Sequence, residues 1–369
     1  MNSLTLLIVE DDKDALDQYV REIKAYNLDS EVKINHVSKD NKEDAIEFLR
    51  DPENLIDAAI IDLKLSVNGV DDRYSGNEVI HEVRENLRFP VFVVTSTPHE
   101  IDPNYRDQND LFQIVTRGQN DNLFEDIVKL HNTGITKILG RSGQIELYLK
   151  EIFWKHLSNS VKIWAQDSTR TSKQKEKSLL RYTLSHIQEH LEISEESDFE
   201  NYHPAEIYII PPVKPNVFTG DIVLEKSNSE MSIVLTPSCD LAQTKAKDIL
   251  IVKIELENEG LLYEKINLIK KGKVSSELIK ESETILHQLI ENNFSNKYHF
   301  LPKYNSIPSG LINFQKIKSV RIKEFNTNFE RIASINSNFT KDIVARFSYY
   351  YSRQGSPDFN INEIYNSLF

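Results

Sequence analysis

The chain has 369 residues and a formal net charge of −13, with 39% hydrophobic, 9% aromatic and 27% charged residues. That length calls for two or three domains, and that composition belongs to folded, soluble chains. The single cysteine, Cys239, rules out an internal disulfide and a cysteine-rich zinc cluster. No apolar run is long enough for a membrane span. The start, Met1-Asn2-Ser3, lacks a basic region and leads straight into strand-like sequence, so no signal peptide is expected and the expected location is cytoplasmic.

The charge is unevenly spread. Residues 1–130 hold 14 Lys and Arg against 28 Asp and Glu, while residues 131–369 hold 30 against 29. The acidic balance belongs to the first third, and the shift marks a domain boundary. Neither part has the basic footprint of a polyphosphate reader, so nucleic acid is not an expected partner.

The first third alternates between two periodicities. An apolar run, Leu4-Thr5-Leu6-Leu7-Ile8-Val9, ends at Glu10-Asp11-Asp12. Ala15, Leu16, Tyr19, Val20 and Ile23 then recur at helical spacing. The pattern repeats with a strand over 32–37, a helix over 42–49, and a strand over 58–61 that ends at Asp62. A helix from Ser75-Gly76 follows, then a strand over 91–94 ending at Thr95 and a strand over 112–115 ending at Thr116-Arg117-Gly118. A last helix begins near Asn122. Uninterrupted apolar strands separated by helices predict a doubly wound α/β fold with a five-stranded parallel sheet covered on both faces. In such sheets the site lies beyond the carboxyl ends of the strands. Here those ends carry three acidic residues, Asp62, a hydroxyl and a cation.

That set has a coherent chemistry. Clustered carboxylates need a cation, and all-oxygen donors suit Mg²⁺. A carboxylate beside Mg²⁺ can attack a phosphoryl donor to give an aspartyl phosphate, while Thr95 and Arg117 grip the phosphoryl oxygens.

Residues 1–135 therefore resemble the receiver domain of bacterial two-component response regulators. The resemblance implies that Asp62 is the phosphoacceptor and Thr95 the switch hydroxyl. It implies that Glu10, Asp11, Asp62 and the Lys64 carbonyl are Mg²⁺ ligands, and that Gly76 opens the third helix. It also implies a sensor histidine kinase as partner. Four features depart from the family pattern. Arg117-Gly118 replaces the usual Lys-Pro, and Ile114 stands where an aromatic switch residue is expected. The loop between Asp62 and Gly76 is long, and Pro98 and Pro103 predict irregular structure in place of a fourth helix.

Residues 136–203 read as a helical linker. Ile145, Leu149, Ile152, Phe153, Leu157, Val161 and Trp164 make a seam-like helical pattern, and Leu179, Leu180, Leu184, Ile187 and Leu191 make a second. An acidic stretch, 192–200, follows. These helices suit a packed hairpin or a homodimer-forming, signal-relaying linker.

Residues 204–369 read as an α+β output domain of unknown type, with a small barrel-like part. Short strands are predicted over 206–210, 221–224, 231–235, 249–254, 298–301 and 312–322, and helices over 275–292 and around Ile343, Val344, Phe347 and Tyr350. The stretch from Phe218 to Val223, followed by Ile233-Val234-Leu235-Thr236, is loosely similar to the opening of the SH3-like barrels of MazF-type toxins. Two segments are candidate sites. Cys239 and Asp240 follow a Pro-Ser turn, with His203, His287 or His299 as partners for a thiol nucleophile; the alternative is an inert cysteine and a helix-capping Asp. Arg346 and Arg353 flank a Tyr-rich run ahead of 354–357. This suits either a phosphate-binding surface or a core helix with its arginines reaching solvent.

Three functions follow. The first is a response-regulator-like signalling protein with an atypical output or partner-binding domain, an arrangement similar to two-component-like phage-defence systems. The second is a phosphate sink or pseudo-receiver scaffold serving another regulator. The third is an enzyme centred on Cys239 and Asp240, or a nuclease-like barrel, under receiver control.

Overall fold

A computed structural model of the protein describes residues 3–67, 70–72, 74–119, 122–191, 201–272, 274–353 and 358–369. The acidic stretch 192–200 and the segment 354–357 lie outside the described residues. So do Lys273 and positions 68, 69 and 73 of the long loop after Asp62. The chain divides into two compact units, Met1–Asp198 and Phe199–Phe369.

The first unit opens with β1 (Ser3–Val9), α1 (Lys13–Asp29), β2 (Lys33–Lys39), α2 (Lys42–Arg50) and β3 (Ala58–Ile61). A short antiparallel hairpin, β4 (Leu65–Val67) and β5 (Val70–Asp72), occupies the long loop. Then come α3 (Ser75–Asn86), β6 (Val91–Thr95), β7 (Phe112–Thr116) and α4 (Leu123–Asn132). Five strands form an all-parallel sheet in the order β2-β1-β3-β6-β7. Numbered among themselves they run 2-1-3-4-5, the flavodoxin-like doubly wound order.

The period of two along each strand explains the two cores. Leu4, Leu6 and Ile8 pack with Tyr19 and Ile23 of α1 and with Phe124 and Ile127 of α4. Leu7 and Val9 face the other way, onto Ala45 and Leu49 of α2 and Val79 and Val83 of α3. Burial on both faces is why β1 reads as a continuous apolar run. Where a fourth helix would stand, two 3₁₀ turns occur at Pro98–Glu100 and Pro103–Tyr105. Each begins at a proline, which has no N–H to continue a helix from behind.

The same unit continues with α5 (Ile135–Leu139), α6 (Gln144–Glu151), a π-helical turn at Ile152–Leu157, α7 (Ser158–Gln166) and α8 (Ser172–Glu189). Arg88 Nε donates to the Leu139 carbonyl at 2.6 Å and its Nη2 meets Glu146 Oε1 at 3.1 Å, fixing α5 and α6 to the sheet domain. The expected seam from Ile145 to Trp164 is corrected by the π turn. Its wider i→i+5 bonding inserts an extra residue per turn and shifts the apolar register. Ile152 is fully buried, whereas Phe153, Trp154 and Val161 are exposed. The helix α8 starts with the Thr171/Gln174 capping box.

The second unit contains β8 (Tyr208–Ile209), β9 (Asp221–Glu225), β10 (Met231–Val234), α9 (Ser238–Ala242), β11 (Asp248–Leu256), α10 (Gly260–Lys271), α11 (Ser276–Ile290), β12 (Tyr298–Leu301), β13 (Gly310–Arg321), α12 (Ile322–Asn328), β14 (Phe329–Ile335), α13 (Ser337–Ser352) and α14 (Ile361–Ser367). Its seven strands form one antiparallel sheet in the order β12-β13-β11-β10-β9-β14-β8. The two edges approach each other. Tyr208 Oη on β8 donates to the Pro302 carbonyl just past β12 at 2.6 Å, and the Tyr208 ring stacks on Tyr304. The barrel-like part is thus a curled sheet whose edge strands are bridged by side chains. Ile222, Ile233, Val252 and Phe314 pack with Ile343 of α13, and Val223, Val234, Ile251 and Val320 pack with Phe325 of α12. The elements α10, α12, β14 and α14 have no counterpart in the sequence expectations.

Candidate functional site

The parallel sheet delivers its strand ends to one edge. The Asp62 N–H donates to the Val9 carbonyl at 2.9 Å, so the residue after β3 stands level with the end of β1, next to Glu10. The Arg117 N–H donates to the Thr95 carbonyl at 3.0 Å, which sets the end of β7 beside the end of β6. Glu10, Asp62 and Thr95 are all buried.

Arg117 holds the cluster together. Its Nη2 lies 2.7 Å from Glu10 Oε2 and 3.1 Å from Asp62 Oδ2. The other oxygen of Asp62, Oδ1, accepts the Leu63 N–H at 2.8 Å. One ligand atom each from Glu10, Asp11 and Asp62 lies within 4.8 Å of the others. Three carboxylates thus converge, and one guanidinium bridges two of them. Burial pushes the Glu10 carboxyl up to about 7, opposed by Arg117 and reinforced by Asp62. Burial also raises Asp62, against the pull of Arg117 and the Leu63 N–H. Burial alone would lower the Arg117 value, but Glu10 and Asp62 together raise it. Both carboxyls are therefore under-neutralised, and a hard dication fits an all-oxygen donor set of this size. Glu10, Asp11 and Asp62 are the residues that would hold Mg²⁺.

Gly76 closes the site from behind. Its N–H donates to the Leu63 carbonyl at 3.1 Å, and a Cβ on it would lie 2.3 Å from the Asp62 carbonyl oxygen and 2.5 Å from Leu63 Cα. Only glycine permits that approach of α3 to the backbone beside Asp62.

The rim carries residues that the sequence did not single out. Thr95 Oγ1 accepts the Thr97 N–H at 3.1 Å, and Thr97 Oγ1 donates to Glu100 Oε2 at 2.8 Å. Lys64 Nζ lies 3.3 Å from the same Glu100 oxygen. Asn77 of α3 binds this segment through the Glu100 carbonyl and the Asp102 N–H. A sequence signal existed for Glu100: Thr97-Pro98 three residues before a Glu is a turn-start pattern.

Among the described residues, Cys239 makes no hydrogen bond to a histidine. Cys239 is an exposed residue of the short helix α9, with Asp240 Oδ1 3.6 Å from its Sγ. Of the histidines named as partners, His299 lies opposite Ile312, which pairs with Ile254 near the far end of β11. Cys239 follows β10, whose last paired residue, Val234, lies opposite Ile251 of β11, and its Sγ has Asp240 as its hydrogen-bond partner. His299 is buried and faces Asp342 at 3.7 Å. Arg346 bonds Asp342 Oδ2 at 2.8 Å and the Asn292 carbonyl at 2.8 Å, tying α13 to the end of α11. Arg353 stacks over the Tyr350 ring at 4.7 Å.

With its strand order and strand-end residues, the first unit resembles the receiver domain of response regulators. No family model and no curated protein matches the sequence. Among solved structures, the N-terminal domain of a response regulator/sensory box/GGDEF three-domain protein from Carboxydothermus hydrogenoformans is 18% identical. It covers 36% of this chain and 98% of its own, with a TM-score of 0.27. The phosphorylated cyanobacterial phytochrome response regulator RcpA is 20% identical over 36% of this chain and 93% of its own, with a TM-score of 0.24. A MazE-MazF structure from Deinococcus radiodurans covers 38% of this chain and 100% of its own at 8% identity, with a TM-score of 0.24. Among the described residues, no helix is long and apolar enough to cross a membrane.

Proposed function

We propose that the first unit is a phosphoacceptor receiver and that Asp62 takes a phosphoryl group from a sensor histidine kinase. The observation that carries this reading is the meeting of Glu10, Asp11 and Asp62 within 4.8 Å, with Arg117 bridging Glu10 and Asp62. In the transfer, an Asp62 carboxylate oxygen forms a bond to phosphorus as the P–N bond to the kinase imidazole breaks. The electron pair leaves with the imidazole, which takes up a proton from solvent. Bound Mg²⁺ supplies charge neutralisation to the phosphoryl oxygens. Arg117, freed from one of its two carboxylates, supplies a fixed fork of donors to the same oxygens. Thr95 stands at the adjacent strand end, and its hydroxyl is the second reader. A shift of Thr95 toward a phosphoryl oxygen releases the Thr97 N–H and so disturbs the Thr97–Glu100–Lys64 chain on the rim.

This reading places the protein in a two-component pathway with an output that is neither a helix-turn-helix nor a basic DNA reader; phage defence is the setting suggested by an atypical receiver joined to an atypical output. The test is incubation with acetyl phosphate and Mg²⁺ followed by intact mass measurement. A gain of one phosphoryl mass, lost in Asp62→Ala, is expected. No gain under conditions that label an ordinary receiver would instead support the scaffold reading, which the Arg117 bridge and the proline-interrupted rim favour.

A further inference from the structure

The helices after the sheet domain bring histidines together. His156 lies in the π turn Ile152–Leu157 and His186 on α8, and their ring centroids are 5.0 Å apart with the planes at 61°. Single π turns inside α-helices occur frequently at functional sites. His186 Nδ1 lies 2.8 Å from the Tyr182 carbonyl oxygen. A carbonyl only accepts, so Nδ1 carries the hydrogen and Nε2 of the neutral ring keeps its lone pair. A bond of this kind is what sets the tautomer and orientation of a metal-bound histidine. His186 is half-buried and His156 is exposed, so a small ion can reach the pair from solvent.

The ring spacing suits one shared metal. A ligating imidazole nitrogen stands about 2.0–2.1 Å from Zn²⁺, and the ring centre lies about 1.2 Å beyond it. Two such rings at a tetrahedral angle have centres about 5.2 Å apart. The observed separation is 5.0 Å. Imidazole donors suit Zn²⁺, Ni²⁺ or Cu²⁺, whereas Mg²⁺ takes oxygen. A negative charge stands nearby: Lys155 holds the Glu151 carboxyl below its usual range, and His190 and His156 add to that pull. His190 is one turn on from His186, but its ring is stacked on Tyr148 at 4.5 Å. The site therefore has two protein ligands, with water in the remaining positions. The cluster of Glu10, Asp11 and Asp62 offers only oxygen, so the two sites call for different cations.

We propose that His156 and His186 form a binding site for a transition-metal cation of the zinc class, which clamps α8 to the π turn. The site does not depend on Asp62 chemistry. It stands or falls separately from the phosphoacceptor reading.

The test is a calorimetric titration of the full chain with ZnCl₂, in an Asp11→Asn, Asp62→Asn background so that the acidic cluster does not contribute. Zn²⁺ binding is expected there. His156→Ala, which replaces an exposed side chain, and His186→Ala are each expected to weaken it at least about tenfold, with far-ultraviolet circular dichroism unchanged. A second measurement needs no variant. In the wild-type chain, Zn²⁺ is expected to shield His156 and His186 from acylation by diethyl pyrocarbonate, read by peptide mass, while the exposed His36 and His99 go on reacting. A double variant that binds no Zn²⁺ would overturn the proposal. So would binding that both alanine variants retain, or acylation of His156 and His186 that Zn²⁺ leaves undiminished.

Discussion

The two units each set an arginine against buried carboxyl groups, one in the C-terminal unit and two in the N-terminal unit, and they balance it differently. In the C-terminal unit, Arg331 Nε lies 2.7 Å from Asp221 Oδ2 as an ion pair, off the line of a hydrogen bond. Asp221 also accepts the Phe218 N–H at 2.7 Å and the Ser334 hydroxyl at 2.6 Å. Arg331 Nη1 donates to the Lys214 and Pro215 carbonyls. One acid meets one base, and neutral donors complete the carboxylate's shell. In the N-terminal unit, Arg117 bridges Glu10 and Asp62 with Asp11 alongside, and burial holds both bridged carboxyls above their usual range in spite of that arginine. A balanced buried pair closes a structure. A buried cluster with surplus negative charge is poised for a further cation.

The comparison can be broken from the C-terminal side first. Arg331→Met would leave Asp221 buried and unpaired, and a loss of about 3–5 kcal/mol is expected in the denaturant midpoint of the C-terminal unit. Restoration of that stability by a dication alone would contradict the closed-pair reading.

The next largest effect is one of pH. Burial pushes His299 down to about 4, against the pull of Asp342 and with the help of Arg346. The folded state therefore holds the neutral ring where the unfolded chain binds a proton. Stability is complete above pH about 6.5 and is lost as the pH falls toward 4, by about 3 kcal/mol in all. His299→Gln should flatten that slope in thermal unfolding curves taken between the two values.

Mg²⁺ gives the complementary test. At a concentration a hundred times its Kd it should stabilise the N-terminal unit by about 2.7 kcal/mol, and leave the C-terminal unfolding transition where it was. Asp11→Asn combined with Asp62→Asn should remove the shift. The smallest expected effect is at Cys239. Its exposure, with Asp240 as its hydrogen-bond partner, predicts that Cys239→Ala changes stability by no more than about 0.5 kcal/mol and leaves biological activity intact. Loss of activity in that variant would revive the thiol-enzyme reading.

Much of the N-terminal site was legible because its signals are local. Each of β1, β3 and β6 is a short run of apolar residues buried on both faces, and a chemically distinctive residue sits at its end. Glu10, Asp62, Thr95 and Arg117 could be found by reading the strand ends alone. Glu100 could not, because its place on the rim depends on a turn folding back toward Lys64. The C-terminal unit hides its logic at long range. Strand β14 begins Phe329-Glu330-Arg331, and its charged opening gave no strand expectation. It becomes a strand because Asp221, 110 residues earlier, receives Arg331, and because Ser334 reaches the same carboxylate. The seam expected over Ile145–Trp164 failed for a different reason, since no residue pattern announced the π turn at Ile152–Leu157.

The most direct test of the surplus-charge account is borohydride trapping of the protein after treatment with acetyl phosphate and Mg²⁺, followed by peptide mapping. Reduction of an acyl phosphate marks the carboxylate that carried it. The account predicts one Mg²⁺-dependent reduction product, at Asp62. Reduction at another carboxylate, or none in a folded protein that binds Mg²⁺, would contradict it.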